Sequence, residues 1–391
     1  MRKLCVFNPS HDSVMQYGTR AVTPPQIATK MWRSMGALAC LWGDDEQSDT
    51  LTEDMIGSTD FTQYDCVEPW GWDATLKRSL LKLGVREDVM PDNDEIERIR
   101  CLSNRKNFVS LLGELRRLPN TVGEAKYVEN CDELRSFLEC DASNFIMKAP
   151  WSSSGRGIYK VTNLPLAPPK EGRVVTGYGL QVTENLKPKT HNQKPTTPAS
   201  KPQNQQCLNC MKKQGGIMVE PYYNKVKDFA MEFEWREGKV NYLGLSLFNN
   251  ANNAYDGNLI ASEERKRELL GAYADLNAID DIREEIIRLM PGVLKGMNTD
   301  TPFGVDMMIV DDGGELKIHP CVEVNLRRTM GYVALKVYER INEIRRPDYE
   351  LKNIIYEGES NNEKDFIGYF VVDARNGKCT IREQGMEPRQ W

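Results

Sequence analysis

The sequence predicts a mixed chain: a small α/β domain at the N-terminus, then a longer α+β region in two parts. Three observations carry this. An apolar strand, Lys3-Leu4-Cys5-Val6-Phe7, opens the chain and ends at Asn8-Pro9-Ser10, after which helical and strand patterns mix up to about residue 100. Further on come two alternating strand pairs: Phe229–Trp235 with Val240–Leu247 around Glu237-Gly238, and Gly304–Val310 with Leu316–Val324 around Asp311-Asp312-Gly313-Gly314. Between these two regions lies a polar stretch, residues 162–214, foreign in composition to the rest. At 391 residues the chain is long enough for two or three domains.

The elements follow in order. A helical stretch is expected around Ile27–Leu41. Residues 103–117 place Phe108, Leu111, Leu112 and Leu115 on one helical face, and Pro119 stops that helix. Lys126-Tyr127-Val128 is a short strand. Asn130 with Glu133 reads as a helix start, continued by Leu134, Phe137 and Leu138. Phe145-Ile146-Met147 is a strand that leads into a Ser/Gly loop. The stretch Lys187-Pro188 through Gln205-Gln206 has almost no apolar residues and cannot offset its ordering entropy, so 162–214 reads as a mobile insertion. Gly216–Pro221 is a strand with a proline stop. Residues 279–296 form an amphipathic helix burying Ile279, Ile282, Ile286, Leu289 and Leu294. The polar tail from about 345 ends in a short hairpin, Gly368–Val372 with Cys379–Arg382. The expected units are therefore 1–101, 102–161, the insertion 162–214, 215–344 and the tail 345–391.

Composition narrows the function classes. A net charge of -6 argues against a general nucleic-acid binder, which would be basic. The first apolar run is too short for a secretory signal, and nothing approaches the roughly 20 apolar residues of a membrane span. The ten cysteines are scattered, as in reduced cytoplasmic proteins. Cys207-Leu208-Asn209-Cys210 has no second pair to complete a metal site and reads as a chance pair in a loop.

Four segments suggest a nucleoside triphosphate site. In Lys148-Ala149-Pro150-Trp151-Ser152-Ser153-Ser154-Gly155-Arg156-Gly157, a strand delivers a lysine to a loop of small residues, whose backbone N–H groups can approach phosphate oxygens. In Met218-Val219-Glu220-Pro221, a carboxylate at a strand end can meet adenine's amine, with Asp228 further on near ribose hydroxyls. The third and fourth are Gly304-Val305-Asp306 and Glu323-Val324-Asn325-Leu326-Arg327, on neighbouring strands of one hairpin. Asp306, Glu323 and Asn325 are three oxygen donors suited to Mg²⁺. Carboxylates inside apolar strands are costly unless a cation offsets them. An ion-pair network with Arg327 or Arg328 is the alternative.

In this order, these residues resemble the ATP-grasp superfamily over roughly 102–335. The resemblance implies a small α/β domain followed by a two-subdomain ATP-grasp fold that holds ATP. It gives Lys148 the phosphates, the Ser152–Gly157 loop (Ser153, Ser154, Gly155, Arg156 and Gly157 within it) closure over them, Glu220 the adenine hinge and Asp228 the ribose. Asp306, Glu323 and Asn325 would hold Mg²⁺, or Mn²⁺, and Arg327 would steady the transferring phosphoryl group. Either Arg105 or Lys106 matches the family's early basic residue. The implied activity is carboxylate–amine ligation through an acyl phosphate, with small-molecule or peptide substrates. The alternatives are a kinase acting on a hydroxyl and a non-catalytic ATP-binding protein. The segment Asn8-Pro9-Ser10-His11-Asp12 matches no assignable substrate motif; it follows the first strand, where a substrate crevice would lie and His11 would assist proton transfer, or Asn8, Ser10 and Asp12 form a cap or turn.

Overall fold

The computed structural model describes residues 1–43, 47–138, 144–152, 157–162, 201–251, 254–344, 351–354, 369–375 and 378–384. β1 (Lys3–Val6) is the middle strand of a parallel sheet, between β2 (Ser48–Thr50) and β3 (Cys66–Pro69). Such a strand is covered on both faces, which is why it reads as an unbroken apolar run. α1 (His11–Met15) follows it directly. The helix expected over Ile27–Leu41 is in two pieces, α2 (Gln26–Met35) and a 3₁₀ segment Gly36–Trp42. α3 (Ala74–Leu83) is capped by the Asp73 carboxylate, which accepts from Leu76 N–H at 2.8 Å, and stops at Gly84 with φ +94°. α4 (Asn93–Leu102) completes the domain.

A 3₁₀ turn, Arg105–Phe108, then leads into α5 (Val109–Leu115). Leu111, Leu112 and Leu115 are buried, but against the larger sheet described below. Residues 102–125 thus pack with the large sheet and not with the phosphate-loop subdomain expected to begin at 102.

The smaller sheet is antiparallel, in the order β4 (Lys126–Val128), β7 (Ile217–Pro221), β5 (Asn144–Lys148), β6 (Ile158–Thr162). α6 (Cys131–Leu138), capped by Asn130, and α7 (Lys201–Gln214) pack on it. α7 corrects the reading of 162–214 as one mobile insertion: its last part is a helix whose Cys207 and Met211 join the core of this sheet. The polar residues around them hid a stripe only four residues apart. Cys207 and Cys210 therefore sit in a helix, not a loop. Burial pushes the Cys207 thiol up to about 12 and raises Cys210 as well, which keeps both protonated and inert. The rest of the stretch, 163–200, lies outside the described residues.

The larger sheet is also antiparallel: β10 (Ala254–Asn258), β9 (Lys239–Ala251), β8 (Lys225–Arg236), β11 (Thr301–Asp312), β12 (Glu315–Asn325). Both expected hairpins are present; Glu237 and Gly238 turn the first with positive φ, as a tight hairpin requires. α8 (Glu263–Leu270) and α9 (Leu276–Val293) follow, and α9 buries Ile279, Ile282, Ile286 and Met290. α10 (Met330–Ile344) packs on β9 and on the 3₁₀ segment of the first domain. In the tail, β14 (Tyr369–Arg375) and β15 (Lys378–Gln384) form the expected hairpin, joined by β13 (Leu351–Ile354). This is the architecture the resemblance implies, a small α/β domain followed by the two sheets of an ATP-grasp fold. Among the described residues no helix is long and apolar enough to cross a membrane. Cys40 is disulfide-bonded, against the expectation of reduced thiols throughout, whereas Cys5, Cys66, Cys101, Cys131, Cys207, Cys210 and Cys321 are free.

Candidate functional site

The three parts meet at the ends of β5 and β12. Lys148 is the last residue of β5, and Glu220 stands opposite Ile146 on β7, so the two are diagonal neighbours. Lys148 Nζ lies 2.7 Å from Glu220 Oε2 and donates to Val322 O at 3.0 Å. One buried lysine therefore joins the hinge strand of the small sheet to the metal-candidate strand of the large one. The Glu220 carboxylate is committed to this lysine.

Arg105 and Lys106 diverge. Arg105 is buried, donates to Ala149 O and to Ser152 Oγ (2.8 Å), and ion-pairs with Glu323. Lys106 is half exposed, 3.7 Å from Glu129 and over the Tyr127 ring. Arg105 is thus the early basic residue that reaches the site. Gly157 closes the loop's far end: its N-terminal neighbourhood is pinned by Ala149 N–H donating to Gly157 O at 2.8 Å. Its φ of +67° and a would-be Cβ only 2.9 Å from that of Ala149 require glycine. Ser153, Ser154, Gly155 and Arg156 lie outside the described residues.

The two strands are hairpin neighbours, with Asp306 opposite Glu323 in the β11–β12 register, and Asn325 donates to Asp306 Oδ2 at 3.1 Å. Burial and the neighbouring Glu323 push the Asp306 carboxyl up to about 7. Asn325 turns its Oδ1 to Arg327 at 3.1 Å, so coordinating a cation requires its amide to rotate. Among the described residues no group of three or more His, Cys, Asp or Glu forms a metal site; this set is two carboxylates and an amide. The pair fits a hard divalent cation, because the protein places two carboxylates together without a basic partner bonded to Asp306. Asp228 faces the same side of the sheet, opposite Met308, and pairs with Lys225 at 2.5 Å.

Arg327 is held by the first domain. Its Nε and Nη2 donate to both oxygens of Asp12, at 2.7 to 3.0 Å, and its Nη1 to Arg328 O. Burial would raise the Asp12 carboxyl, but Arg327 outweighs it and keeps the group below the usual range. Next to Asp12, His11 is buried with Nδ1 3.4 Å from Asp73 Oδ2. Asn8 holds Asp73 in place, donating to its Oδ2 at 2.9 Å. Gly71 packs on the Nδ1–Cε1 edge of the imidazole, where a Cβ would stand 2.8 Å away. His11 also borders a cavity of about 20 Å³ that Arg105, Ser152, Glu323 and Asn325 line.

Sequence reasoning offered His11 for proton transfer, gave Asp12 only a capping or turn role, and missed Asp73 and Glu232. Asp73 reads locally as a helix cap. Glu232 alternates with Met231, Phe233 and Trp235 and so reads as a solvent face, but α10 covers that face. Its carboxyl is pushed up to about 8, chiefly by burial. It accepts from Thr329 Oγ1 at 2.7 Å, while its Oε2 has no partner among the described residues.

No protein-family model matches this sequence, and no curated protein matches it. Among solved structures the chain is similar to an N5-carboxyaminoimidazole synthetase from Staphylococcus aureus complexed with ADP, at 12% identity and TM-score 0.41, covering 84% of this chain and 71% of that one. It is similar to a D-cycloserine synthetase at 12% identity and TM-score 0.41, covering 87% and 99%. A D-alanyl-alanine synthetase A from Vibrio cholerae matches at 13% identity and TM-score 0.36, covering 72% of each chain. Likenesses at this level leave the functional reading to the site's own geometry.

Proposed function

We propose that this chain, ATP-grasp in architecture, is an ATP- and Mg²⁺-dependent ligase that activates a carboxylate as an acyl phosphate and joins it to an amine. The supporting observation is a charge count at the junction of the three parts. Lys148 pairs with Glu220, Arg105 with Glu323 and Arg327 with Asp12, which leaves Asp306 as a surplus carboxylate beside Glu323. Among the described residues Asp306 alone of these four carboxylates has no bonded cation, and that surplus charge calls for a divalent cation.

The steps follow from the positions. ATP lies between the sheets with its base against β7 and its phosphates toward Lys148, Arg105 and the loop ending at Gly157. A substrate carboxylate oxygen attacks the γ-phosphorus and the bond to the ADP oxygen breaks, while Lys148, Arg105 and Arg327 stabilise the charge spreading over the equatorial oxygens. Asp306 and Glu323, with Asn325, would hold Mg²⁺, which would screen the charge of the triphosphate when bound. An amine nitrogen then attacks the acyl carbon, the carbon–oxygen bond to phosphate breaks, and His11 accepts the amine's proton with Asp73 behind it to steady the imidazolium.

Calorimetry of ATP binding, with and without Mg²⁺ or Mn²⁺, tests this on the wild type and on Glu323→Ala/Asn325→Ala. Metal-dependent binding that the double variant weakens at least tenfold is expected, followed by ADP release when a carboxylate and an amine are both supplied. Binding indifferent to metal and to the substitutions overturns the reading, and a stable phosphoester formed without an amine replaces it with a kinase.

A further inference from the structure

His11 and Asp12 open α1, and both border the small cavity at the junction, together with Arg105, Ser152, Glu323 and Asn325. Both oxygens of Asp12 are taken by Arg327. Its Nε donates to Oδ1 at 2.8 Å and to Oδ2 at 3.0 Å, and its Nη2 to Oδ2 at 2.7 Å. Nη1 donates to Arg328 O at 2.9 Å, and Nη2 also donates to Asn325 Oδ1 at 3.1 Å. The pair is largely buried, with 13% of the Arg327 side chain and 22% of the Asp12 side chain exposed. Asp12 borders the cavity, whereas Arg327 is not among its described lining residues.

Each partner is therefore occupied while it holds the other. A phosphoryl group in the cavity can draw on the Arg327 guanidinium only if that side chain gives up part of its hold on Asp12. A carboxylate left this deep without its cation is costly. Arg105, which also lines the cavity, is committed to Glu323, Ala149 O and Ser152 Oγ. The reaction brings a cation of its own, because an aliphatic amine arrives protonated at neutral pH. An ammonium group has three N–H donors, enough for both oxygens of Asp12 with one left for the neighbouring His11. The exchange preserves the charge of the site: one cation leaves the carboxylate and another replaces it.

We infer that Asp12 is the binding residue for the amine substrate, which enters as an ammonium ion and takes the carboxylate that Arg327 vacates. This rests on the ligase reading, and it gives Asp12 a ligand where the mechanism above uses only His11 and Asp73. The protons balance. An ammonium loses two on becoming an amide N–H, of which His11 takes one and the departing phosphate oxygen the other. Because one exchange serves both ligands, the amine and the triphosphate each bind more tightly in the other's presence, by the same factor.

Saturation-transfer NMR titrations on the full chain at pH 7 test this. Ethylammonium and glycinamide are compared with ethanol and glycolamide, their neutral counterparts, with and without Mg²⁺ and β,γ-imido-ATP. At least one ammonium compound is expected to bind about tenfold or more tighter than its counterpart. It should gain about fivefold more when the nucleotide is bound. Asp12→Asn should remove both differences. The same variant should bind β,γ-imido-ATP as tightly as the wild type or up to about threefold tighter, because Arg327 is released. An Asp12 that served only to hold Arg327 in place would, when changed, weaken the nucleotide instead. No preference for either ammonium compound, no gain from bound nucleotide, amine affinity indifferent to Asp12→Asn, or weaker nucleotide binding by that variant overturns the inference. Failure of the wild type to bind β,γ-imido-ATP overturns the ligase reading instead, and the ammonium preference of the nucleotide-free protein then still decides the role of Asp12.

Discussion

The two sheets each bury a carboxylate at the junction, and they handle it in opposite ways. In the smaller sheet Glu220 meets Lys148 at 2.7 Å, a cation supplied by the same sheet. In the larger sheet Asp306 faces a second carboxylate, Glu323, and its carboxyl rises to about 7. The first arrangement is complete within the polypeptide, whereas the second is stable near neutral pH only with a proton or a metal from solution. The difference separates a structural ion pair, which fixes where two sheets meet, from a site that a ligand finishes.

The largest effect expected from breaking this contrast is on metal. Asp306→Asn with Glu323→Gln should lower Mg²⁺-dependent ATP affinity by about 100-fold, because neutral amides replace both charges. Calorimetry would show it, and the metal-free protein should be no less stable than the wild type in urea. On the other side, Lys148→Met leaves Glu220 buried without its cation and should cost about 3 kcal/mol in urea unfolding. A Lys148→Met protein as stable as the wild type would dissolve the distinction between the two sheets.

The pH dependence sharpens it further. The Asp306 carboxyl is raised in the folded state, so its contribution is fully present below the unfolded value, near 3.8, and is lost as pH rises through about 7. Glu232, raised to about 8, acts with the same sign over a window that reaches higher. The metal-free protein should therefore lose roughly 2 kcal/mol between pH 5 and 8, and saturating Mg²⁺ should recover much of it at pH 8, where it replaces a proton at Asp306. Asp306→Asn should reduce the slope up to about pH 7 and leave the part that Glu232 contributes. The smallest effect is that of Glu232→Gln, which keeps an oxygen for Thr329 and should gain about 1 kcal/mol above pH 8 with ATP affinity unchanged. A loss of ATP affinity there would bring Glu232 into the site proper.

Most of the fold was legible because its strands announce themselves: Phe229 to Trp235 alternate, Gly304 to Asp306 ends on the carboxylate that Glu323 faces, and β1 is an unbroken apolar run. What stayed hidden depends on distance or on cover. Asp12 and Arg327 are 315 residues apart, and no local pattern ties an aspartate after the first strand to an arginine just beyond β12. Glu232 has the spacing of an exposed residue, and only the path of α10 buries it. α7 escaped because its composition is that of an unfolded segment; two residues, Cys207 and Met211, decide its place. The choice between Arg105 and Lys106 was open for a similar reason, since adjacent residues in a 3₁₀ turn point in different directions and their setting alone selects one.

Arg327 and its neighbour Arg328 have a consequence for engineering this chain. Arg327 grips Asp12, while Arg328 ion-pairs with Glu68, donates to Pro69 O and lies over Trp42. Two consecutive residues beyond β12 thus clasp three separate elements of the first domain. The apparent seam near residue 101 is therefore a poor place to cut or to graft: a truncated chain would carry two stranded guanidinium groups, and a donor domain would need its own matching acids. Interchange of the first domain between chains would succeed only if Asp12, Glu68 and the arginine pair travel together.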